Sequence, residues 1–489
     1  MIDIKVKIHD KFTFEFKISF ITNRRKNEDI NEFSINTWLF IPNSLDINRS
    51  TYSKEQFYKD VKSNVRLITP TYELQDTVNE GESPFKLLKD ACLGIKANPT
   101  SKNAIDEFYY QVRLFSCICK SAMRDKAYFI SEVKNDEDIL CLTAEYIKNI
   151  NHILHSYRSL KGLIKGNEIS HEQHEFFHFG DEFISNIVEQ QVFRLFQRTR
   201  KYTAFQKIKP MLVDVLEKET EYRKQQKYTL PDKNNTNENY LVIMRRGILK
   251  KIIESDLYLN TKKTQDGAFA KQFYYGIAAG IAMIFSTIIA FTAQIRFGNF
   301  TTPLFLALVV SYAFKDRIKD LMRYYFSTQL GKKYYDTKRE LEKRNESIGW
   351  TKEAFDFVLE DKIPEEVINL RKRSPLVEAE SRIYNEQIIL YKKLVNLSGS
   401  KINNNEHYKF NGINDITRFN ITSYIFRADD PFVSLYIPDK EKGYINLKSE
   451  KVYALHFIVR CESKSEIYYR KFRLLFNRDG IKEIKEINK

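Results

Sequence analysis

The stretch that decides how this chain must fold is QFYYGIAAGIAMIFSTIIAFTAQI, Gln272–Ile295, because none of its residues is charged. Its 24 residues extend about 36 Å as a helix, enough to cross the roughly 30 Å hydrocarbon layer of a bilayer. A second uncharged run, Phe297–Phe314, follows closely. Gly298 suits a tight turn between the two runs, and Pro303 suits the start of a second helix. The sequence therefore predicts a transmembrane helical hairpin.

Two alternatives to this hairpin remain open. The two apolar runs could form a buried helical hairpin inside a soluble protein, although soluble cores seldom contain an uncharged run of this length. Alternatively, the first run could span the bilayer while the second forms a re-entrant segment packed against protein.

Basic residues on both sides of the apolar runs predict the orientation of the hairpin. The turn between the runs holds a single cation, Arg296, whereas both outer flanks are basic. The flanking cations are Lys262, Lys263 and Lys271 before the first run, and Lys315, Arg317, Lys319 and Arg323 after the second. Cytoplasmic loops carry the excess of Lys and Arg. We therefore expect the hairpin to be inserted in the lipid bilayer of the inner membrane, with both termini in the cytoplasm.

Gly276 and Gly280 form a G-x-x-x-G pair in the first run, a spacing that lets helix backbones approach closely. The pair could pack within the hairpin or between subunits, and the sequence does not distinguish these two interpretations. Two spans cannot enclose a pore alone, so any pore needs several subunits.

The second run is our candidate for the pore, because it is shorter and continues without proline into a charged helical pattern. The predicted pore residues are Thr301, Thr302, Phe305, Leu308 and Val309. The three apolar residues among them suit a constriction that gates by dewetting. The helical pattern beyond Phe314 suits either an amphipathic helix near anionic headgroups or a lever that carries force to the span.

Average composition conceals this membrane signal. The mean hydropathy of −0.46 is that of a soluble protein. Hydrophobic residues at 43% and aromatics at 14% exclude a disordered chain. The net charge of +15 favours a partner that is anionic, either a nucleic acid or a membrane surface.

Alternating apolar residues predict strands at both ends of the chain. They alternate over Ile2–Ile8 and Phe12–Phe20, and the C-terminal strand-like pieces include Phe419–Phe426, Val452–Arg460 and Tyr468–Phe476. Between the ends, 3.6-residue periodicity predicts helices from Asn103 onward.

We therefore predict an α+β membrane protein with five parts. They are an N-terminal β-rich domain at 1–100, a helical cytosolic domain at 101–265, the transmembrane helical hairpin at 266–316, a cytosolic helical extension at 317–400 and a C-terminal β-sandwich-like domain at 401–489.

The C-terminal part is basic and aromatic, which suits a single-stranded oligonucleotide. The candidate ligand-binding residues are Arg418, Arg427, Arg460, Arg470 and Arg473. Charge reversal at Arg470 and Arg473 is expected to weaken such binding and its salt dependence. The alternatives are a solvated strand face and a ligand site around Arg24, Arg25 and Lys26.

The string His174–His178, HEFFH, has the H-E-x-x-H spacing of zinc proteases. Glu172 is charged just before it, Gly180 follows soon after, and the sequence offers no third-ligand motif. We interpret the string as a polar helix end or loop. No nucleotide-binding or nucleophile-elbow motif is present, so we predict no enzyme, no metal site and no cofactor.

Four strings together resemble a bacterial family of two-span membrane effectors of anti-phage defence, which we identify as the Hailong-type channel effectors. They are Trp38–Glu73, Asp181–Glu189 (DEFISNIVE), Arg245–Leu257 (RRGILKKIIESDL) and Ala278–Arg323, of which the KDRIKD string after the second run is the most specific element.

The resemblance implies a homo-tetrameric inner-membrane ion channel of abortive infection. A partner nucleotidyltransferase makes single-stranded DNA oligomers that hold such a channel closed, and their depletion during infection depolarises the membrane and arrests growth. The resemblance supplies no ligand residues. The alternatives are a membrane-anchored scaffold or receptor without a pore and a membrane-tethered zinc protease.

Overall fold

The computed structural model describes residues 2–21, 30–79, 81–166, 169–344, 346–373, 375–376, 386–404, 407–463 and 466–487. The chain is a mixed α+β protein, as the sequence predicts. It forms two compact units. Unit 1 comprises Met1–Val65, Leu259–Asn405 and Gly412–Lys489, and unit 2 comprises Arg66–Tyr258 and Glu406–Asn411.

The strands are, in chain order, β1 (Ile2–Asp10), β2 (Thr13–Ile21), β3 (Ile30–Ile41), β4 (Val61–Leu67), β5 (Asn260–Gln265), β6 (Thr337–Lys343), β7 (Glu346–Val358), β8 (Gln387–Ser398), β9 (Gly412–Asn420), β10 (Phe432–Asp439), β11 (Gly443–Glu450), β12 (Tyr453–Ser463), β13 (Glu466–Asn477) and β14 (Gly480–Glu486).

The helices are α1 (Lys54–Asp60), α2 (Pro84–Ala97), α3 (Lys102–Glu132), α4 (Asp136–Ser159), α5 (Lys161–Ile164), α6 (His171–Thr199), α7 (Phe205–Gln225), α8 (Asn239–Ile253), α9 (Ala268–Phe297), α10 (Thr302–Lys333), α11 (Glu365–Arg371), α12 (Gly399–Ile402) and α13 (Thr422–Ile425).

Two antiparallel sheets of unit 1 pack face to face. One has the order β1-β2-β9-β4 and the other the order β14-β13-β12-β3-β8-β7-β6-β5. Aromatic side chains fill the space between them, with the ring centres of Phe14 and Phe16 on β2 lying 5.0 Å and 5.7 Å from that of Phe457 on β12. Strands β10 and β11 form a separate two-stranded sheet.

The prediction of two independent β-domains, at 1–100 and 401–489, is wrong. Strand β2 pairs with β9 so that Phe14 lies opposite Phe419, and β3 pairs with β12 so that Trp38 lies opposite Ile458. The sandwich is therefore shared between the two ends of the chain. Alternation identifies a half-buried strand but not the partner with which it pairs.

The helical extension predicted at 317–400 is only partly present. Helix α10 continues to Lys333, as predicted, but Thr337–Lys343, Glu346–Val358 and Gln387–Ser398 are strands of the larger sheet. The strand expected at Phe419–Phe426 is also interrupted, because its residues from Thr422 onward form α13.

Helix α11 covers the outer face of the larger sheet. Its residue Val367 is fully buried and packs with Trp38, Phe40 and Ile388. This second apolar layer explains why the central strands β3, β8 and β12 carry large apolar residues on both faces.

Helices α2 to α8 belong to unit 2, and the helices that periodicity predicts from Asn103 onward include α3, α4, α6 and α8. Helix α6 begins with a capping box, in which Ser170 accepts from the Gln173 backbone while the Gln173 side chain accepts from the Ser170 backbone. The helix continues through Gly180. A Cβ atom added there would lie 2.2 Å from the Tyr157 hydroxyl, so this glycine allows close helix packing.

Candidate functional site

Helices α9 and α10 form an antiparallel helical hairpin. The Ser286 and Ser311 hydroxyls lie 2.9 Å apart, and the rings of Tyr274 and Phe326 lie 5.2 Å apart. Residues near the end of one helix therefore face residues near the start of the other. Ala278 and Ala282 are almost fully buried on the side of α9 that faces α10. Small side chains here allow the two helices to approach closely.

The turn between these helices lies where the sequence predicts it. Gly298 has a φ of 75°, a left-handed conformation that glycine adopts without strain. Thr301 precedes α10, and its hydroxyl lies 3.4 Å from the Leu304 backbone nitrogen that donates to it. Pro303 occupies the first turn of α10, where its missing N–H costs no helical hydrogen bond.

Helix α9 exposes most of its apolar surface. Among the described residues, it is the helix that is long and apolar enough to cross a membrane, and 17% of its most apolar stretch is buried. Ile295 and Phe269 are each 87% exposed. The core helix of a soluble protein would be mostly buried, so this surface needs a cover other than the rest of its own chain. Helix α10 does not meet the same criterion of length and composition.

The predicted pore residues occupy the first turns of α10. Phe305, Leu308 and Val309 are 65%, 42% and 50% exposed. Their i, i+3, i+4 spacing places them on one face of the helix, whereas Ser311, which contacts α9, is buried. Thr301 and Thr302 lie at the start of the helix. One continuous face of α10 is therefore free to meet a second subunit or lipid.

Gly276 and Gly280 do not hold the hairpin together. A Cβ atom added at either residue would meet no atom within 4 Å. Helical spacing places both glycines on the side of α9 opposite Ala278 and Ala282. The packing within the hairpin is thus made by the alanines, and the glycines face away from it.

The hairpin is inserted between two paired strands at the edge of the larger sheet. Strand β5 leads into α9, strand β6 follows α10, and β5 pairs with β6 over the whole length of β5. Asp266 lies between β5 and α9, and its carboxylate accepts from the backbone N–H of Tyr335, between α10 and β6, at 3.1 Å. The same carboxylate pairs with Lys352 on β7 at 3.0 Å. The hairpin is thus continuous with the sheet at both of its ends.

The five candidate ligand-binding arginines do not form one cluster. Each has a carboxylate partner in unit 1: the pairs are Arg418–Glu15, Arg427–Asp46, Arg460–Glu462, Arg470–Glu486 and Arg473–Glu483. Arg460 lies on β12, and Arg470 and Arg473 lie on the neighbouring strand β13, whereas Arg418 lies on β9 and Arg427 follows α13. The predicted alternative at Arg24, Arg25 and Lys26 lies outside the described residues.

The pairing of Arg418 with Glu15 is the most enclosed of these. Burial raises the pKa of Glu15, but hydrogen bonds from Arg418 and Lys7 outweigh it and hold the pKa of this carboxyl below its usual value. An oligonucleotide would have to displace Glu15 from Arg418 to bind there.

The HEFFH string forms the first turns of α6. His171 is 89% exposed, and the Nδ1 atom of His178 lies 3.4 Å from the Tyr228 hydroxyl. Burial, followed by the charge of Lys161, lowers the pKa of His178. Within the described part of the chain, no group of three or more His, Cys, Asp or Glu side chains is arranged to hold a metal ion.

Buried ion pairs that the sequence analysis did not anticipate hold the helices of unit 2 together. Arg158 on α4 donates to both carboxylate oxygens of Glu219 on α7, at 2.9 Å and 2.8 Å, and to Asp181 on α6 at 3.0 Å. Asp181 also accepts from the hydroxyls of Tyr222 and Tyr228. Its two oxygens are thus occupied by partners within the unit.

Two strings of the family resemblance contribute to this ion-pair network. Arg245 donates to Glu182 at 2.8 Å, and Glu189 accepts from both Arg246 and Arg223. The sequence did not indicate that these charged residues form ion pairs inside unit 2, because charged residues at the same helical spacing also form solvated helix faces.

We found no protein-family model, no curated protein and no solved structure that matches this chain.

Proposed function

We propose that this chain is the oligomeric inner-membrane channel effector of an anti-phage defence system. A nucleotide or DNA-oligomer ligand gates the channel, and its opening depolarises the membrane and arrests growth. The observation that carries the proposal is the exposed apolar surface of α9, 17% of whose most apolar stretch is buried. Lipid is the cover that such a helix requires.

The oligomer provides the pore. Helix α10 presents Phe305, Leu308 and Val309 on one exposed face, and copies of this face arranged around an axis make an apolar constriction that conducts once it is wetted. Gly276 and Gly280 face away from α10 and give each subunit a surface for close contact with its neighbour. A homo-tetramer of this kind leaves both termini in the cytoplasm.

Ligand binding reaches the pore through the larger sheet. The two helices of the hairpin join the edge strand β5 and its neighbour β6, and Asp266 contacts the chain just before β6 as well as Lys352 on β7. A change in the sheet therefore moves both ends of the hairpin at once, as in other transitions that couple rigid elements. A partner nucleotidyltransferase makes the ligand.

The test is the pair of variants Leu308→Asp and Phe305→Asp in a growth-arrest assay and in planar bilayers. A carboxylate hydrates the constriction, so we expect altered toxicity and a changed conductance with expression retained. Leu308→Met and Phe305→Leu are the matched controls, because they keep the constriction apolar and should behave as wild type. If both Asp variants behave as wild type, α10 does not line the pore.

A membrane-anchored scaffold or receptor without a pore is the second candidate. The observation that favours it is that α9 has the length and composition of a span and α10 does not. It predicts that the purified protein adds no conductance to a bilayer and that every apolar replacement in the hairpin is tolerated.

A further inference from the structure

A cavity of about 270 Å³ lies among helices α3, α6 and α8 of unit 2. The described residues of its wall include four cations and three side-chain amides but no acidic residue. The lining residues are Lys120, Phe183, Asn186, Ile187, Gln190, Gln191, Arg194, Arg246, Gly247, Leu249 and Lys250. Its volume is just below the usual range of about 300–1,000 Å³ for small-molecule sites.

Two of the four cations share a carboxylate with another cation. Lys120 and Arg66 both pair with Glu254. In the same way, Arg246 and Arg223 both pair with Glu189. Each of these two carboxylates therefore neutralises one of its two partners and leaves one positive charge in excess.

The other two cations add to this excess. Arg194 has the Gln191 amide oxygen as a partner, at a long 3.4 Å. Lys250 lies exposed at the end of α8, and no carboxylate within the described residues pairs with it. The cavity is therefore a positive concavity, in which low-dielectric walls strengthen attraction for an anion.

A polar group in the wall also lacks a partner. The Nε atom of Arg246 is enclosed and has no acceptor among the described residues. Asn186 lies in the same wall and is 6% exposed. A buried donor without an acceptor is costly, and an anion in the cavity would satisfy it.

We infer that this cavity binds a phosphate-bearing anion of about nucleotide size. Guanidinium groups match the geometry of phosphate oxygens, and ammonium groups add point charge. The amides of Asn186, Gln190 and Gln191 offer both donors and acceptors, so they suit the polar edge of a base or a sugar hydroxyl. The identity of the ligand as a nucleotide or DNA-oligomer signal rests on the proposed function, whereas the phosphate site does not.

The test is the thermal midpoint of the full chain in detergent, titrated with sodium pyrophosphate, adenosine monophosphate and a 5′-phosphorylated DNA tetranucleotide. A ligand that binds the folded state raises the midpoint in proportion to the logarithm of its concentration. We expect pyrophosphate to raise it, and the two nucleotides then show whether a single nucleotide or an oligomer fits better.

Asn186→Asp is the deciding variant, because it is nearly isosteric and places a carboxylate among the excess cations. We expect its midpoint without ligand to equal or exceed that of the wild type, and its affinity for pyrophosphate to fall more than tenfold. Arg194→Gln with Lys250→Gln should also weaken binding more than tenfold. Lys207→Gln with Lys209→Gln, exposed on α7, is the control that removes the same charge elsewhere and should bind as the wild type does.

An unchanged midpoint of the wild type with all three probes overturns the site. Equal affinity of Asn186→Asp and wild type overturns it as well. Conductance in planar bilayers is measured on the same preparations. A phosphate site in a protein that conducts no ions would retain this inference and refute the channel, and a channel without phosphate binding would do the reverse.

Discussion

His456 is a histidine held neutral by its neighbours on the outer face of the larger sheet. It lies opposite Arg473 in the pairing of β12 with β13. Burial, followed by the charges of Arg371, Lys471 and Arg473, lowers the pKa of His456 to about 3. Its Nδ1 atom is enclosed and has no hydrogen-bond partner within the described residues. Protonation in the folded state would add a fourth cation to this group.

We expect His456 to make the protein sensitive to acid. Between the folded pKa and the unfolded value near 6.5, the unfolded chain binds the proton more readily, so stability falls as pH drops below 6.5. At pH 5 the loss from this residue is about 2 kcal/mol. Chemical denaturation of wild type and His456→Asn at pH 7 and pH 5 measures this loss. Between the two pH values, the free energy of unfolding of the variant should fall by about 2 kcal/mol less than that of the wild type. Equal losses would show that His456 titrates normally.

Helix α6 owes its close packing to Gly180, at a position where the sequence indicates a break. The helix runs without interruption from His171 to Thr199. The Tyr157 hydroxyl fills the space beside Gly180 and donates to the Phe177 carbonyl oxygen at 2.9 Å. Glycine lowers intrinsic helix stability by about 1 kcal/mol relative to alanine. The close packing of Tyr157 beside Gly180 therefore offsets the low helix propensity of glycine.

Gly180→Ala should therefore destabilise the protein although alanine favours helices. The new Cβ would lie 2.2 Å from the Tyr157 hydroxyl and 2.8 Å from Val112 Cγ1, so both side chains must shift. We expect a loss of about 1–3 kcal/mol in denaturant unfolding. Gly94→Ala in α2 is the matched control, because its Cβ would meet nothing within 4 Å and should raise stability by about 0.5–1 kcal/mol. A stabilising Gly180→Ala would contradict the packing.

Strand β6 shows where reasoning from local sequence fails. TKRELEK, Thr337–Lys343, consists mainly of good helix formers and follows a long helix, so the sequence predicts that α10 continues. Pairing with β5 on one side and β7 on the other holds it as a strand. Helix propensity is weak enough for such pairing to override it. The helices α9 and α10 were predictable, by contrast, because the length of an uncharged run needs no knowledge of tertiary partners; that both of them span a membrane stays a prediction.

At the scale of the whole molecule, local sequence patterns predict elements of the fold, but they predict neither the pairing of distant strands nor the surroundings of the candidate site. The predicted strands exist at both ends of the chain, yet β2 meets β9 about 400 residues away in sequence, a pairing that no local pattern carries. The five candidate ligand-binding arginines lie on separate elements of unit 1, and each has a carboxylate partner that the sequence did not reveal. The positive cavity of unit 2 was missed because its charges come from three helices that are distant in sequence.

Helix α9 carries two pairs of small residues on opposite sides. Ala278 and Ala282 are 0% and 1% exposed between α9 and α10, whereas Gly276 and Gly280 have open space around them. In the proposed oligomer the alanines hold each hairpin together and the glycines lie between subunits. The two small-residue pairs therefore have separable roles.

We expect the native mass of the detergent-solubilised protein to be four times 58.0 kDa. Gly276→Leu with Gly280→Leu should lower that multiple and leave the thermal midpoint of the subunit unchanged, because leucine there blocks only the approach of another helix. Ala278→Leu with Ala282→Leu is the matched comparison: it should lower the midpoint by forcing α9 and α10 apart. A tetramer that survives leucine at both glycines would place the contact between subunits on another face, and the exposed stripe of Phe305, Leu308 and Val309 would then be the next surface to substitute.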